Sequence, residues 1–143
     1  MTEKTTSILH RRKKGEAVKK EIFSVCLLIV MLTAALINIH CIKDLADEIS
    51  NDVTDSVNAA SAGDWDAARK LAEHAEATWR NCAGYTHVVL RHSEIDTVSD
   101  ALYDFMTHIY DHNAKSSATA AGKVKYHLNS IYQMEQVRFG SIF

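Results

Sequence analysis

The chain has 143 residues, with 16 lysine and arginine residues, 18 aspartate and glutamate residues, eight histidines and no proline. A chain of this length can bury one modest core and is too short for a multi-domain enzyme. The balance of charge is slightly acidic, with a formal net charge of −2, and this argues against a nucleic-acid partner.

The most informative feature is an uncharged run between Ile22 and Ile39, IFSVCLLIVMLTAALINI, which contains neither Pro nor Gly. As a helix, its 18 residues span about 27 Å, close to the roughly 30 Å hydrocarbon core of a bilayer. We therefore predict a transmembrane signal anchor over residues 22–42, and the lipid bilayer as its partner.

The charges on the two sides of this run predict its orientation. Residues 1–21 carry seven basic and three acidic side chains, a net charge of +4, whereas residues 22–143 carry a net charge of −6. Because basic flanks stay in the cytoplasm, we predict a cytoplasmic tail over residues 1–21 and an extracytoplasmic domain over residues 43–143 of a single-pass cell-membrane protein. The alternative is a cleaved signal peptide, but residues 38–41 lack a small-x-small cleavage pattern.

The three cysteines do not form a disulfide scaffold. Cys26 lies within the apolar run, which leaves only two cysteines outside it. The sequence does not say whether Cys41 and Cys82 pair or remain free thiols.

The outer domain is predicted to be helical throughout, because apolar residues recur every three or four positions. The first helix is predicted to run to Ser61-Ala62-Gly63, with Asp64 as the cap of the next helix. Gly84 weakens this second helix, and the pattern does not say whether it continues to Leu90. The predicted core positions of the two helices are Ile42, Leu45, Ile49, Val53, Val57 and Ala60, followed by Trp65, Ala68, Leu71, Ala75, Trp79 and Cys82.

A third helix is predicted to begin at Ser93, where Ser-Glu-Ile-Asp resembles a capping box, and a polar turn over residues 112–116 precedes a fourth helix. The predicted core positions of these helices are Ile95, Val98, Leu102, Phe105 and Ile109, followed by Ala121, Val124, Leu128, Ile131 and Met134.

Together these elements predict an all-α fold, in which one N-terminal transmembrane helix continues into an antiparallel helical bundle of three to four helices. Whether the first helix packs in the bundle or stands apart as a stalk stays open. In the packed arrangement, we expect Phe139, Ile142 and Phe143 to reach the lipid interface, where aromatic side chains are favoured. A frayed tail is the alternative.

Polar residues on an apolar helix face predict a candidate site. His127 and Glu135 lie on the core face of the last helix, and a buried carboxylate needs a partner. The antiparallel topology places the corner at residues 91–96 near that carboxylate. The candidate polar cluster or ligand site therefore comprises His92, Glu94, Asp96, His127 and Glu135; the same residues could instead form a structural network that fixes the helix register.

The histidine content prompts a metal or haem hypothesis. His108 and His112 are four residues apart, with Asp104 one turn earlier, and this spacing suits two ligands of one metal. However, Asp100 and Asp111 lie on the same side of the helix and indicate a solvated face. HExxH, CxxC and CxxCH motifs are absent from the sequence. We therefore expect no metal site, no cofactor and no catalytic residues.

The order of several short segments resembles a family of small single-pass bacterial membrane proteins, domain of unknown function 4363. These segments are a basic tail, one membrane helix, GDWDAA at a helix start, HSEID and HLNSIYQMEQ, and the resemblance covers about residues 20–143. The residues that carry it are Trp65, Trp79, His92, Glu94, Ile95, Asp96, His127 and Glu135. The resemblance implies a membrane-anchored helical domain and no assigned activity.

Two functional hypotheses follow. The first is a non-enzymatic, membrane-anchored extracytoplasmic interaction or scaffold module of the bacterial cell envelope, which binds an envelope protein or associates with itself. The alternative is a small sensor or carrier domain that binds a metal, haem or organic ligand between its helices, as four-helix bundles do.

Overall fold

The computed structural model describes residues 3–140, without the side chains of residues 3–18, 83, 88–89 and 138–140. This range contains no strand, and its five helices are α1 (Glu3–Ser61), α2 (Trp65–Asn81), α3 (Ala83–Val89), α4 (His92–Tyr110) and α5 (Ala114–Gly140). The predicted all-α class is confirmed. The expectation for Phe139, Ile142 and Phe143 concerns side chains outside the described part.

The chain divides into two compact units, residues 1–38 and residues 39–143. In the first unit, the large apolar side chains of α1 from residue 22 onward are mostly exposed, among them Phe23, Val30 and Met31. Within the described residues, α1 is the one helix that is long and apolar enough to cross a membrane, and none of its apolar window is buried.

The second unit has one hydrophobic core, to which α1, α2, α4 and α5 contribute. Ile49 and Val53 of α1 are fully buried in it, so this part of α1 packs within the bundle and is not a stalk. Phe105 of α4 is the largest fully buried side chain. The other core residues are Ile42, Leu45, Ala46, Ala60, Ala68, Ala72, Ala75, Trp79, Leu90, Ile95, Val98, Ala101, Leu102, Ile109, Ala120, Ala121, Val124, Leu128 and Ile131.

Contacts between neighbouring helices define the order in which they surround the core. Ser56 of α1 is fully buried and donates a hydrogen bond to the Ala68 carbonyl of α2, at 2.7 Å. Lys125 of α5 donates to the Thr54 hydroxyl of α1, at 3.2 Å. Since α4 contacts both α2 and α5, the four long elements follow one another around the core as α1, α2, α4 and α5.

The turn between α1 and α2 forms as predicted. Gly63 adopts a φ of 85°, a left-handed conformation that costs glycine little because it has no Cβ. The Asp64 carboxylate then accepts a hydrogen bond from the backbone N–H of Ala67, at 3.0 Å, and caps α2.

The start of α4 differs from the predicted capping box. Arg91, with extended backbone angles, is the N-cap, and its N–H donates to the Glu94 carboxylate at 3.3 Å. Ser93 lies inside the first turn, and its carbonyl accepts a hydrogen bond from the Thr97 hydroxyl. The prediction that Ser93 and Asp96 form the box was therefore wrong, because the helix begins early enough for Glu94 to occupy the third position.

The turn before α5 is shorter than predicted. Helix α5 begins at Ala114, within the predicted turn over residues 112–116. His112 takes the left-handed conformation at φ 53°, and the Asn113 side chain accepts a hydrogen bond from the Ser116 N–H, at 3.0 Å. The His112 ring stacks on Trp65 with centroids 4.7 Å apart. Asn113 is thus a side-chain cap that the sequence pattern placed within a longer loop.

A histidine–aspartate contact joins α2 to α1 and predicts a pH effect. His74 Nδ1 lies 2.7 Å from Asp52 Oδ2, and this hydrogen bond raises the pKa of His74 above 6.5. The stabilisation that the His74–Asp52 contact gives the folded state is therefore complete below pH 6.5, and it is lost as the pH rises through the folded-state pKa of His74. Between about pH 6 and about pH 8.5, we expect Tm to fall more steeply for the wild-type chain than for His74→Gln, as measured by circular dichroism in mild detergent.

The reciprocal variant Asp52→Asn is the control, because removal of either partner abolishes the same coupling. It should show the shallow pH profile of His74→Gln. An Asp52→Asn profile as steep as that of the wild type would assign the pH effect to another group.

Candidate functional site

A groove lies between α2 and α4, and α3 contributes Thr86 and His87 to its lining. Its volume of about 620 Å³ is typical of ligand-binding pockets. Its apolar floor consists of the half-buried Met106 of α4 and the outer edges of two core residues, Trp79 of α2 and Leu102 of α4, which are 7% and 1% exposed.

The sequence of α2 explains why the groove opens at the C-terminal end of that helix. The buried face of α2 consists of three alanines, Ala68, Ala72 and Ala75, followed by Trp79. Small side chains allow close approach of the helix to the core, whereas the indole is the one large group on this face. The helix ends two residues later at Asn81, and the chain enters the short α3. The Trp79 ring therefore stands at a place where continuous helix packing stops.

The polar atoms in the floor are already satisfied within the protein. Trp79 Nε1 donates a hydrogen bond to Ser99 Oγ, at 3.0 Å, and Ser99 Oγ donates to the Ile95 carbonyl, at 2.8 Å. A bound group consequently meets apolar carbon surface and no unpaired donor at this point. The floor suits an aliphatic or aromatic group better than a polar one.

The rim of the groove is charged and aromatic. On α2, Arg80 pairs with Glu76 at 3.1 Å. On α4, Asp100 is exposed and has no cation within ion-pair distance among the described residues. Tyr103, one turn further, is 75% exposed. The Asp100 carboxylate at the rim thus has no positively charged partner among the described residues.

Glu135, one of the predicted site residues, lies in a separate buried cluster. Its side chain is buried, with 8% exposure, on the core side of α5. Burial raises the pKa of Tyr85 on α3, and hydrogen bonding to Cys41 of α1 and the charge of Glu135 raise it further. Tyr85 of α3 is therefore a neighbour of Glu135 that the sequence did not predict.

The other predicted site residues lie on α4 and α5, and Glu94 lines a pocket together with Met134 and Val137 of α5. His92 and Asp96 are exposed near the start of α4, and Glu94 accepts the capping hydrogen bond. His127 is half-buried on α5. Binding of a ligand by the five residues stays a prediction.

Histidines at the predicted metal-ligand spacing have separate neighbours. His108 lies 3.5 Å from Asp104, whose second oxygen accepts a hydrogen bond from Lys123. His112 instead stacks on Trp65. Within the described residues there is no group of three or more His, Cys, Asp or Glu side chains placed to hold a metal ion.

The cysteines are free thiols. Cys26 and Cys41 are exposed and Cys82 is half-buried. The pairing of Cys41 with Cys82, which the sequence left open, is therefore not formed in this structure.

The groove itself was not predicted. The sequence pattern assigned Trp79 and Leu102 to the core and Asp100 to a solvated face. A signal was nevertheless present on α4, where Ser99, Tyr103 and Met106 follow one another at helical spacing beside the core face. An exposed tyrosine between a half-buried serine and a half-buried methionine marks the edge of a groove.

This geometry defines a small helical-bundle domain that carries an apolar groove and is preceded by an apolar helix. The chain belongs to the family described as "Domain of unknown function (DUF4363)", whose model matches residues 36–142. No curated protein and no solved structure matches the chain.

Proposed function

We propose that the protein is a membrane-anchored interaction module of the bacterial cell envelope, and that the groove between α2 and α4 binds an apolar segment of a partner protein. The observation that carries this proposal is the groove, in which the exposed Tyr103 and the half-buried Met106 leave apolar surface open above the buried Trp79 and Leu102. A concave, mostly apolar site of this kind can receive apolar side chains of a partner. The module needs no catalytic group for this role.

The anchor in this proposal is the apolar part of α1. Side chains such as Phe23 and Val30 are exposed along its length, and a lipid bilayer would cover them. The excess of basic residues before the run supports a cytoplasmic N-terminus and an extracytoplasmic helical unit.

Photocrosslinking in native membranes tests the groove. A benzophenone amino acid replaces Tyr103, at the groove rim, or Tyr126, an exposed tyrosine of α5 outside this groove. We expect a discrete adduct with a membrane or envelope protein from position 103 and none from position 126. Adding Met106→Lys should remove the adduct, because it places an ammonium group in the apolar floor.

Three outcomes count against the proposal. The first is a lack of any protein adduct from position 103. The second is an adduct of equal yield from both positions, and the third is an adduct that persists in Met106→Lys at an unchanged Tm, since neither adduct would depend on the groove.

A further inference from the structure

The charges at the groove rim select among the segments that could occupy it. Arg80 is already neutralised by Glu76, so an anionic ligand would have to displace that carboxylate. The same ligand would approach Asp100, which has no cationic partner among the described residues. A cationic group meets the opposite situation, because Asp100 is exposed and available to pair with it.

The overall charge of the second unit acts in the same direction. Residues 39–143 carry nine basic and 15 acidic side chains, a net charge of −6 with neutral histidines. A field of this sign accelerates the approach of basic partners and slows that of acidic ones. Residues 1–21, by contrast, carry a net charge of +4.

The shape of the groove favours a helix as its occupant. Two neighbouring helices form its walls, and a third helix packs into such a channel by placing a ridge of side chains between them. Ser99, Tyr103 and Met106 form a stripe along α4 that a partner helix can follow. The exposed Tyr103 ring supplies the large amphipathic contact that is enriched at protein interfaces.

We propose that the groove binds a basic amphipathic helix of a partner protein, whose apolar side chains contact Tyr103, Met106 and the small exposed part of Trp79, and whose lysine or arginine pairs with Asp100. This inference rests on the proposed function, because it names the partner class of the same groove. Its distinguishing element is the sign of the charge on the partner.

Selection from a displayed library of helical peptides tests that sign. The library randomises the apolar anchors at positions i, i+4 and i+7 and lets the flanking positions be Lys, Arg, Gln, Asp or Glu. The bait is the full-length chain in a neutral detergent. We expect wild-type protein to enrich Lys and Arg at the flanks, and Asp100→Lys to enrich Asp and Glu. Asp55→Lys, the same charge change at an exposed position of α1, should select like the wild type.

Affinities of one selected peptide make the test quantitative. Asp100→Asn should weaken binding about two- to fivefold, as expected for an exposed ion pair. Replacing one apolar anchor by alanine should weaken binding about tenfold or more. The emission of Trp79 reports occupancy in a Trp65→Phe background, where it is the remaining tryptophan.

The outcomes separate the two proposals. Peptides that depend on their apolar anchors but show no charge preference, or an acidic one, overturn the inference and leave the groove as a docking site. Basic peptides that bind Asp100→Lys as tightly as they bind the wild type also overturn it, since a group other than Asp100 then recognises their charge. If no peptide is enriched over Met106→Lys, the helix inference fails, whereas the crosslink from position 103 still decides the proposed function.

Discussion

Replacing Phe105 by alanine is expected to lower the free energy of unfolding by about 3–5 kcal/mol. Phe105 is fully buried in the middle of α4, the helix that contacts both α2 and α5. Truncation removes a large apolar side chain and leaves a cavity that the surrounding helices fill only in part. Because small domains are stable by only about 5–15 kcal/mol, this single change removes a large share of the total.

The measurement is denaturant unfolding of the full-length protein in mild detergent, followed by circular dichroism. Tyr126→Ala is the matched control, since it also deletes an aromatic ring but at an exposed site on α5. We expect the control to change stability by less than about 1 kcal/mol. Equal losses from the two variants would contradict the assignment of Phe105 to the centre of the core.

The parts of the fold that follow from local chemistry were predictable from the sequence. The helical spacing of Val98, Leu102, Phe105 and Ile109 identified the buried face of α4, and all four side chains are buried. The turn at Gly63 was equally readable, because a left-handed glycine followed by a capping aspartate has a local physical cause. Such signals require no knowledge of which helix packs against which.

The site depends on contacts that are distant in sequence, and these were not predictable in the same way. Glu135 was correctly placed on a core face, but its neighbour Tyr85 comes from α3, and Tyr85 in turn is hydrogen-bonded to Cys41 of α1. The sequence did not show whether a helix continues past Gly84 to Leu90, so the position of Tyr85 could not be predicted. The groove likewise exists because α2 ends at Asn81 beside Trp79, a consequence of packing that no periodic pattern records.

Placing two arginines in the middle of the apolar run, as Val30→Arg with Met31→Arg, is expected to abolish membrane integration. Both side chains are exposed at the centre of residues 22–39, where the proposed anchor contacts hydrocarbon. Each arginine at the centre of a membrane helix costs about 2.5–3.5 kcal/mol on translocon insertion scales, and therefore about 5–7 kcal/mol for the pair. This cost is large enough to shift insertion from nearly complete to nearly absent.

Cell-free synthesis of the full-length chain with added bacterial membrane vesicles, followed by alkaline carbonate extraction, measures integration directly. Val30→Leu with Met31→Leu is the control, because it changes the same two positions and keeps them apolar. The wild type and the leucine variant should remain in the membrane pellet at full length, and the arginine variant should appear in the supernatant. A shortened product from the wild type would instead indicate cleavage of a signal peptide. Retention of the arginine variant in the pellet would show that a surface other than residues 22–39 holds the protein to the membrane, and the bundle itself would then have to supply it.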